Sequence, residues 1–172
     1  MQFFQQEELD KLEETLKDKT TGLYNKQTLY LLMDNLLKQH ERYEENWSFI
    51  LMDCSLERVS SSCKNLMQDQ LDKAIGKKLT AICRKSDMLF YCDKGLFCIL
   101  TRVFEGDDTV KFCEKLSRNL KELNVNGCVV DVMPKFGITF SKLSDSAESF
   151  SQRSYDALKK ALSAKEDILV QV

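Results

Sequence analysis

Apolar and polar residues alternate along the chain with two different periods, which predicts helices interspersed with strands. In residues 3–17, Leu9, Leu12 and Leu16 recur at helical spacing among Glu and Lys, so this segment is predicted to form an amphipathic helix. Residues 47–54 form a short continuous apolar run, which is typical of a buried strand. The remaining predicted elements are helices over 27–40, 68–83, 109–123 and 146–164, a strand hairpin over 88–101, strand material over 127–140 interrupted at Pro134, and a last strand over 167–172. This order predicts an α/β sandwich in which helices pack on a central sheet.

The composition fits a single domain with its own core, since 43% of the 172 residues are hydrophobic and 30% are charged. A net charge of −2 argues against a nucleic-acid surface, which needs clustered Lys and Arg. The N-terminus lacks a basic start followed by an apolar core, and no stretch approaches the ~18 apolar residues of a membrane span. We therefore expect a cytoplasmic protein without membrane insertion and without a nucleic-acid partner.

The seven cysteines and the single histidine bear on redox state and metal binding. The cysteines lie mostly inside apolar runs and form no C-x-x-C pair, so we expect free thiols in a reducing compartment. One imidazole without such a pair cannot assemble a zinc site, and no metal is expected. His40 is interpreted as a surface residue at a helix end, with a ligand role as the minor alternative.

Phosphate-binding and hydrolase motifs of the forms G-x-x-x-x-G-K-[S/T], G-x-G-x-x-G, H-E-x-x-H and G-x-S-x-G are absent. The segment DKTTGLYNK instead resembles the D-x-L-T-G-L-x-N-R opening of GGDEF domains, the diguanylate cyclase family that condenses two GTP molecules into cyclic di-GMP. The matching residues are Asp18, Thr21, Gly22, Leu23, Asn25 and Lys26. The stretches FILMDCS, RKSDMLFYCDKGLF and PKFGITFS resemble later segments of the family in the same order.

The resemblance covers nearly the whole chain and implies a nucleotidyl-cyclase-like fold, in which a central and mostly antiparallel sheet is flanked by helices. It implies two parts, residues 1–17 as an amphipathic lead-in helix and residues 18–172 as the GGDEF domain. In the family such a helix joins the domain to sensors or to another copy. The implied partners are therefore cyclic di-GMP and either another protein or a second copy of the chain.

The family signature itself is altered in this chain. Its five positions are Asp93, Lys94, Gly95, Leu96 and Phe97, so that GGDEF reads DKGLF. The family's two glycines allow the backbone to approach phosphates closely, and here both positions carry side chains. Gly95 and Leu96 occupy the acidic positions and can neither coordinate magnesium nor accept a proton.

Other catalytic positions that the resemblance implies are also changed. Asp53 matches the first metal-binding aspartate, and Asp69 matches a guanine contact, with Gln68 in place of the preceding glycine. Leu162 and Glu166 stand where the family has two phosphate-binding cations, and a Glu there would repel a triphosphate. We therefore expect a degenerate domain without cyclase activity and without a cofactor.

One family site is retained. The inhibitory site is an R-x-x-D motif five residues before the signature, and Arg84 and Asp87 stand at that distance. The Arg fork can donate two hydrogen bonds to guanine or phosphate, and the Asp can accept from guanine N–H groups. Lys111 and Lys115 stand where the family often has arginines that complete this pocket, and their spacing places both on one side of a helix. This site predicts an inactive GGDEF domain that acts as a cyclic di-GMP receptor.

A blander interpretation remains open at each of these positions. Asp87 can serve only to begin a strand, Arg84 can be a solvated cation near a helix end, and the turn over 92–95 can be an ordinary hairpin turn. The chain would then be a non-catalytic interaction or dimerisation module without nucleotide binding, in which the helix over 3–17 supplies the pairing surface.

Overall fold

The computed structural model describes residues 2–103 and 107–172. Its helices are α1 (Gln6–Leu16), α2 (Lys26–Tyr43), α3 (Gln68–Ile82), α4 (Asp108–Asn119) and α5 (Ala147–Ser163). Its strands are β1 (Trp47–Asp53), β2 (Val59–Ser60), β3 (Met88–Asp93), β4 (Leu96–Arg102), β5 (Leu123–Val125), β6 (Cys128–Val132), β7 (Lys135–Phe140) and β8 (Ile168–Gln171). Within this part of the chain, no helix is long and apolar enough to cross a bilayer.

The central sheet of the described residues has five strands in the order β3-β4-β1-β7-β8. β1 lies in the middle and pairs antiparallel with β4 and with β7, whereas β7 and β8 pair in parallel. The predicted fold, a mostly antiparallel sheet flanked by helices, is therefore confirmed. A small second sheet of β2, β6 and β5 was not predicted, because β2 and β5 have only two and three residues and carry no periodic pattern. The predicted helix over 109–123 ends earlier, at Asn119, because the chain then turns into β5.

β1 is apolar on both faces, and this fixes the order of the layers. Phe49 and Leu51 pack in one cluster with α2 and α5, while Ile50 and Met52 pack in the other with α3 and α4. Successive strand residues point to opposite sides, so a strand that is covered on both faces needs a continuous apolar run. The sheet is thus sandwiched between two helix pairs.

The turn segment before α2 is held by its own polar side chains. Asp18 Oδ2 accepts hydrogen bonds from the N–H of Thr21 at 2.8 Å and from its hydroxyl at 2.9 Å. Asn25 caps α2 by accepting from a backbone N–H of the first turn at 2.9 Å, and the backbone of Tyr24 pairs with β3. The residues that carry the family resemblance therefore build the junction between α1, the sheet edge and α2.

Helix α5 lies close to β7 at Gly137. A Cβ atom on Gly137 would lie 2.3 Å from the carbonyl oxygen of Ser154 and 2.4 Å from the nitrogen of Leu158, so no side chain fits there. The Ser154 hydroxyl also donates to the Gly137 carbonyl at 2.8 Å. These contacts fix the position of α5 on the sheet, and with it the width of the gap between α5 and α2.

His40 is buried, so its interpretation as a surface residue is wrong. The residue lies in the last turn of α2, as expected, but only 5% of it is exposed. The chain reverses at Glu44, which has a left-handed φ of 56°, and this brings the Glu45 carbonyl onto the imidazole Nδ1. The chain reversal, which helix periodicity does not reveal, covers the ring.

The expectation that all seven cysteines are free thiols is also wrong. The structure joins Cys63 to Cys128 and Cys92 to Cys98 as disulfides, with Cα–Cα distances of 6.2 and 6.5 Å. The first pair is separated by 65 residues in the chain, so only the packed fold brings its members together. The second pair lies across β3 and β4 near the hairpin turn. The free cysteines are Cys54, Cys83 and Cys113.

Candidate functional site

The hairpin turn between β3 and β4 packs directly against the loop that follows β1. Gly95 has a φ of +72°, and a Cβ atom on it would lie 2.9 Å from Ser55 Cα. The Cys54 N–H donates a hydrogen bond to the Gly95 carbonyl at 2.7 Å. Only glycine combines this backbone conformation with so close an approach. The turn is thereby closed onto the end of β1, and no open space separates the two.

A buried carboxylate holds this turn from beneath. Asp72 of α3 has no exposed surface, and its side chain accepts hydrogen bonds from the Gly95 N–H at 3.0 Å and from Gln68 Nε2 at 2.7 Å. The Tyr91 hydroxyl of β3 donates a third bond to the same carboxylate. Burial raises the pKa of the Asp72 carboxyl, and the three hydrogen bonds oppose that rise. Asp72 therefore ties α3, β3 and the hairpin turn together.

Sequence reasoning missed Asp72, although a signal was present. In α3, Asp72 shares the helical spacing of the buried residues Ile75, Gly76 and Leu79, so it lies on the apolar face. A single carboxylate on such a face needs buried donors, because an unpaired charge is costly away from water. The donors come from Tyr91 and from the backbone of the hairpin turn, and their positions depend on the tertiary fold.

The Gln68 side chain fills the remaining space beside the turn. Its Nε2 donates to the Cys54 carbonyl at 3.2 Å as well as to Asp72, and its Oε1 accepts from the Leu56 N–H at 3.0 Å. Gln68 thus bridges the start of α3 and the loop after β1. The resemblance places a glycine at this position, so the amide occupies volume that a member with glycine there leaves free.

Asp53 and Asp69, which the resemblance matches to functional aspartates of the family, are both engaged in contacts within the fold. Asp53 Oδ1 accepts a hydrogen bond from the Ser55 N–H at 2.8 Å, and strand register places Leu96 directly opposite Asp53 on β4. Asp69 is half exposed and lies 3.8 Å from the Lys94 ammonium. In the described part of the chain, no group of three His, Cys, Asp or Glu side chains converges as a metal site. These residues do not fit the magnesium ions that cyclase chemistry requires.

The cation that strand register places opposite Asp53 on β7 is engaged within the fold. Lys135 stands opposite Asp53 on β7, and its ammonium donates to the carbonyls of Ala161, Ala164 and Glu166 at 2.9 to 3.1 Å. The carbonyls of Ala161 and Ala164 lie at the C-terminal end of α5, where the helix dipole favours a positive charge, and Glu166 follows two residues later. An ammonium has three donors, so none remains for a phosphate. Leu162, at one predicted phosphate position, is an exposed apolar side chain.

The Arg84 and Asp87 pair forms a compact surface turn. Asp87 accepts from the Arg84 N–H at 2.9 Å with one oxygen and from the Thr101 hydroxyl at 2.8 Å with the other. The Arg84 side chain is exposed and has no hydrogen bond or ion pair among the residues that the structure describes. The turn borders a pocket of about 260 Å³, which Tyr24 and Lys85 also line. Asp87 therefore holds the turn, and Arg84 is left facing solvent.

The two lysines of α4 differ in their relation to this turn. Burial raises the pKa of the Cys83 thiol to about 12, and the negative charge of Asp87 adds to the rise while the positive charge of Lys115 opposes it. Lys115 therefore lies close enough to act on the same group as Asp87. Lys111 instead forms an ion pair with Asp107 at 2.7 Å, one turn earlier in the chain. The charge of Lys115 thus acts in the neighbourhood of Cys83, whereas the ammonium of Lys111 is paired with Asp107.

Residues 15–167 match the family model described as the diguanylate cyclase GGDEF domain. The match spans most of the chain, and the chain belongs to the GGDEF domain family. No curated protein matches the chain by sequence.

Solved structures of GGDEF proteins share the fold. The coiled coil and GGDEF domain of DgcB from Caulobacter crescentus, solved in complex with cyclic di-GMP, superposes with a TM-score of 0.77 at 12% identity, covering 96% of this chain and 91% of that chain. The diguanylate cyclase SiaD from Pseudomonas aeruginosa, solved in complex with its activator SiaC, superposes with a TM-score of 0.79 at 16% identity, covering 95% of this chain and 64% of that chain. The FimX GGDEF domain from Pseudomonas aeruginosa superposes with a TM-score of 0.75 at 14% identity, covering 91% of this chain and 99% of that chain.

The Asp72 network predicts a loss of stability in Asp72→Asn. Three donors converge on the two oxygens of the Asp72 carboxylate. In Asn an NH₂ group replaces one of these oxygens, and it would face a donor instead of accepting a hydrogen bond from it. We expect the free energy of unfolding at pH 7, measured by urea denaturation, to fall by about 1–3 kcal/mol. The control is Asp69→Asn, on the exposed side of the same helix turn, which should change it by less than about 0.5 kcal/mol.

The pH dependence of this variant gives a second readout. The pKa of Asp72 in the folded state is raised above its ordinary value of 3.8. Protonation of Asp72 therefore stabilises the folded state. This stabilisation is complete below pH 3.8 and is lost as the pH rises through the folded-state pKa. The difference in unfolding free energy between wild type and Asp72→Asn should therefore widen as the pH is lowered from neutral towards 3.8. A difference that narrows over this range would contradict the placement of Asp72.

Proposed function

We propose that this GGDEF domain is catalytically inactive and binds cyclic di-GMP at the surface turn formed by Arg84 and Asp87. The observation that carries the proposal is a contrast between two places in the fold. The cleft at the hairpin is closed by backbone contact and by Gln68, while the guanidinium of Arg84 is open to solvent on a turn held by Asp87.

The geometry of the hairpin supports the absence of catalysis. Phosphoryl transfer needs metal ions between the phosphates and clustered carboxylates. Leu96 stands opposite Asp53, so the side chain nearest to this aspartate across β4 has no ligand atom. Gly95 is in contact with Ser55, so a triphosphate would have to separate two hydrogen-bonded segments before it could bind.

The case for cyclic di-GMP rests on charge and shape at the turn. Arg84 presents a planar fork that matches a guanine edge or a phosphate. Lys85 beside it and Lys115 from α4 add positive charge, and the ring of Tyr24 lines the same pocket. Each Asp87 oxygen accepts one hydrogen bond and retains a further lone pair that can accept from a guanine N–H. The pocket is shallow, so a ligand would be held mainly by these polar contacts.

Absence of cyclase activity is the first expected outcome. Incubated with GTP and either magnesium or manganese, the protein should form no cyclic di-GMP above background, as measured by chromatography of the nucleotides. The structural reason is the missing ligand at Leu96 and the closed turn at Gly95. Product that disappears on Asp53→Ala would show that the cleft is functional and would contradict the proposal.

Binding of cyclic di-GMP is the second expected outcome. In isothermal titration, Arg84→Ala should weaken binding by roughly ten- to a hundredfold, because a charge-assisted contact of about 1.5–3 kcal/mol is lost. Asp87→Ala should weaken it through loss of the turn, and Lys115→Ala less strongly and with a smaller salt dependence.

Arg42→Ala is the matched control for this titration. It removes the same charge from an exposed position at the end of α2, and it should leave the affinity unchanged. No heat with wild-type protein up to high micromolar cyclic di-GMP would refute the receptor proposal. Equal weakening by Arg42→Ala and Arg84→Ala would reduce the effect to general charge attraction.

A second candidate function, self-association or partner binding through α1, is favoured by the exposure of that helix. None of its residues is buried, and Leu9 and Leu12 are 40% and 45% exposed on one stripe. Phe3 and Phe4 extend the apolar surface just before the helix. Apolar stripes of this kind often pair with another helix.

The double variant Leu9→Glu/Leu12→Glu tests this candidate. We expect it to remain folded and to lower the mass measured by light scattering, since charges at the stripe oppose helix pairing. Point variants are preferable to deletion of α1, because the carbonyls of Thr15 and Leu16 accept hydrogen bonds from Asn25. The control is the double variant Glu7→Lys/Glu14→Lys, which changes charges on α1 without touching the leucine stripe and should leave the mass unchanged. An unchanged mass in the Leu variant would remove the pairing role.

A further inference from the structure

A pocket of about 440 Å³ opens between α2 and α5, on the face of the sheet opposite α3 and α4. This volume lies within the range of about 300–1,000 Å³ that small-molecule sites occupy. The floor is apolar and at most 7% exposed, and consists of Leu29, Met33, Phe49, Leu51, Cys98 and Ala147. The width of the gap is fixed by the close seating of α5 on Gly137. The pocket is therefore part of the packed fold.

Carboxylates outnumber ammonium groups among the side chains that line the rim of the pocket. Asp93 of the hairpin turn and Glu148 in the first turn of α5 provide two carboxylates, and Lys26 provides one ammonium. A second ammonium, that of Lys159, lies outside this lining, on the Tyr155 ring. Glu148 Oε1 accepts a hydrogen bond from the Tyr30 hydroxyl at 3.1 Å, so the carboxylate is held across the mouth between the two helices. Backbone hydrogen bonding at the start of α5, followed by the Tyr30 hydroxyl, lowers the pKa of Glu148 and keeps it ionised.

Two aromatic rings flank the same opening. Tyr30 on α2 and Tyr155 on α5 are 52% and 42% exposed, and both line the pocket. The ammonium of Lys159 lies 4.3 Å from the centre of the Tyr155 ring, so that ring already holds a positive charge, and only the Tyr30 ring is open to a cation. Aromatic faces attract cations through their quadrupole, more strongly when water is excluded.

We propose that this pocket binds an organic cation: a compact apolar body, aromatic or branched, seated on the floor, with an ammonium group at the rim between Glu148, Asp93 and the Tyr30 ring. The apolar floor favours a hydrophobic body, since its burial removes apolar surface from water. The carboxylates select an ammonium over a carboxylate group of the same shape. None of the residues that line the Arg84 pocket lines this one, so the site is distinct from the one proposed for cyclic di-GMP.

The test compares three probes of matched shape on the whole chain. They are 2-phenylethylammonium, neutral 2-phenylethanol and anionic 3-phenylpropionate, titrated while backbone and methyl NMR shifts are recorded. We expect the ammonium to bind about tenfold more tightly than the anion, with the alcohol between them. The shifts should centre on Leu29, Met33 and Tyr155. Equal affinity for the cation and the anion, shifts elsewhere, or no binding at millimolar concentration would each overturn the proposal.

Two variants separate the floor from the rim. Ser151→Phe fills the pocket from α5 and should abolish binding of all three probes, whereas Glu148→Gln should weaken only the ammonium, by about three- to tenfold. If Ser151→Phe perturbs folding, the Glu148→Gln comparison and the shift map still decide. If the Glu148→Gln variant still preferred the ammonium probe over the anion to the same extent as the wild type, the carboxylate of Glu148 would not select the cation, and the proposal would be contradicted. Retained binding in a folded Ser151→Phe protein would exclude this pocket.

Discussion

Asp72 places a carboxylate where water cannot reach it, and three donors from separate parts of the fold offset its desolvation. Tyr91 contributes from β3, Gln68 from the start of α3, and Gly95 from the hairpin turn. If the turn moved away, the buried Asp72 carboxylate would lose the hydrogen bond from the Gly95 N–H. Leaving a buried charge with an unpaired acceptor is strongly destabilising. The hairpin is thus fixed against α3, and its contacts with Cys54 follow from that position.

Fixing the hairpin in this way has opposite effects on the two faces of the sheet. Towards α3, the turn rests on Asp72 and is bordered by Gln68, which also bonds the Cys54 carbonyl. Towards α2 and α5, Leu96 and Cys98 of the same hairpin line a pocket. The Arg84 turn is unaffected by either, because it is held by Asp87 and Thr101 at the other end of β3. The two pockets therefore lie at opposite ends of β3.

Much of the fold follows from local pattern, and the site follows from it only in part. The continuous apolar run of β1 predicts a strand covered on both faces, and the structure shows such a strand. The R-x-x-D turn could be located from sequence, but the use of both Asp87 oxygens within the fold could not, since Thr101 approaches only through pairing of β3 with β4.

The errors share one physical cause. The Cys63–Cys128 disulfide and the burial of His40 depend on segments that meet only in the folded chain. The donors around Asp72 come from β3 and from the hairpin turn, so its role could not be read from α3 alone. A residue's spacing within its own helix or strand shows which face it occupies, but not which groups other elements bring to it.

The most direct test of the account is a map of amide chemical shifts on titration of wild-type protein with cyclic di-GMP. The account predicts that perturbed amides cluster at residues 84–87, at Tyr24 and around Lys115. Those at 53–55 and 93–95 should remain unperturbed, because the contact between Cys54 and Gly95 excludes the ligand from the cleft. Perturbations centred on 53–55 and 93–95 would show that the cleft opens to nucleotide and would contradict the central claim.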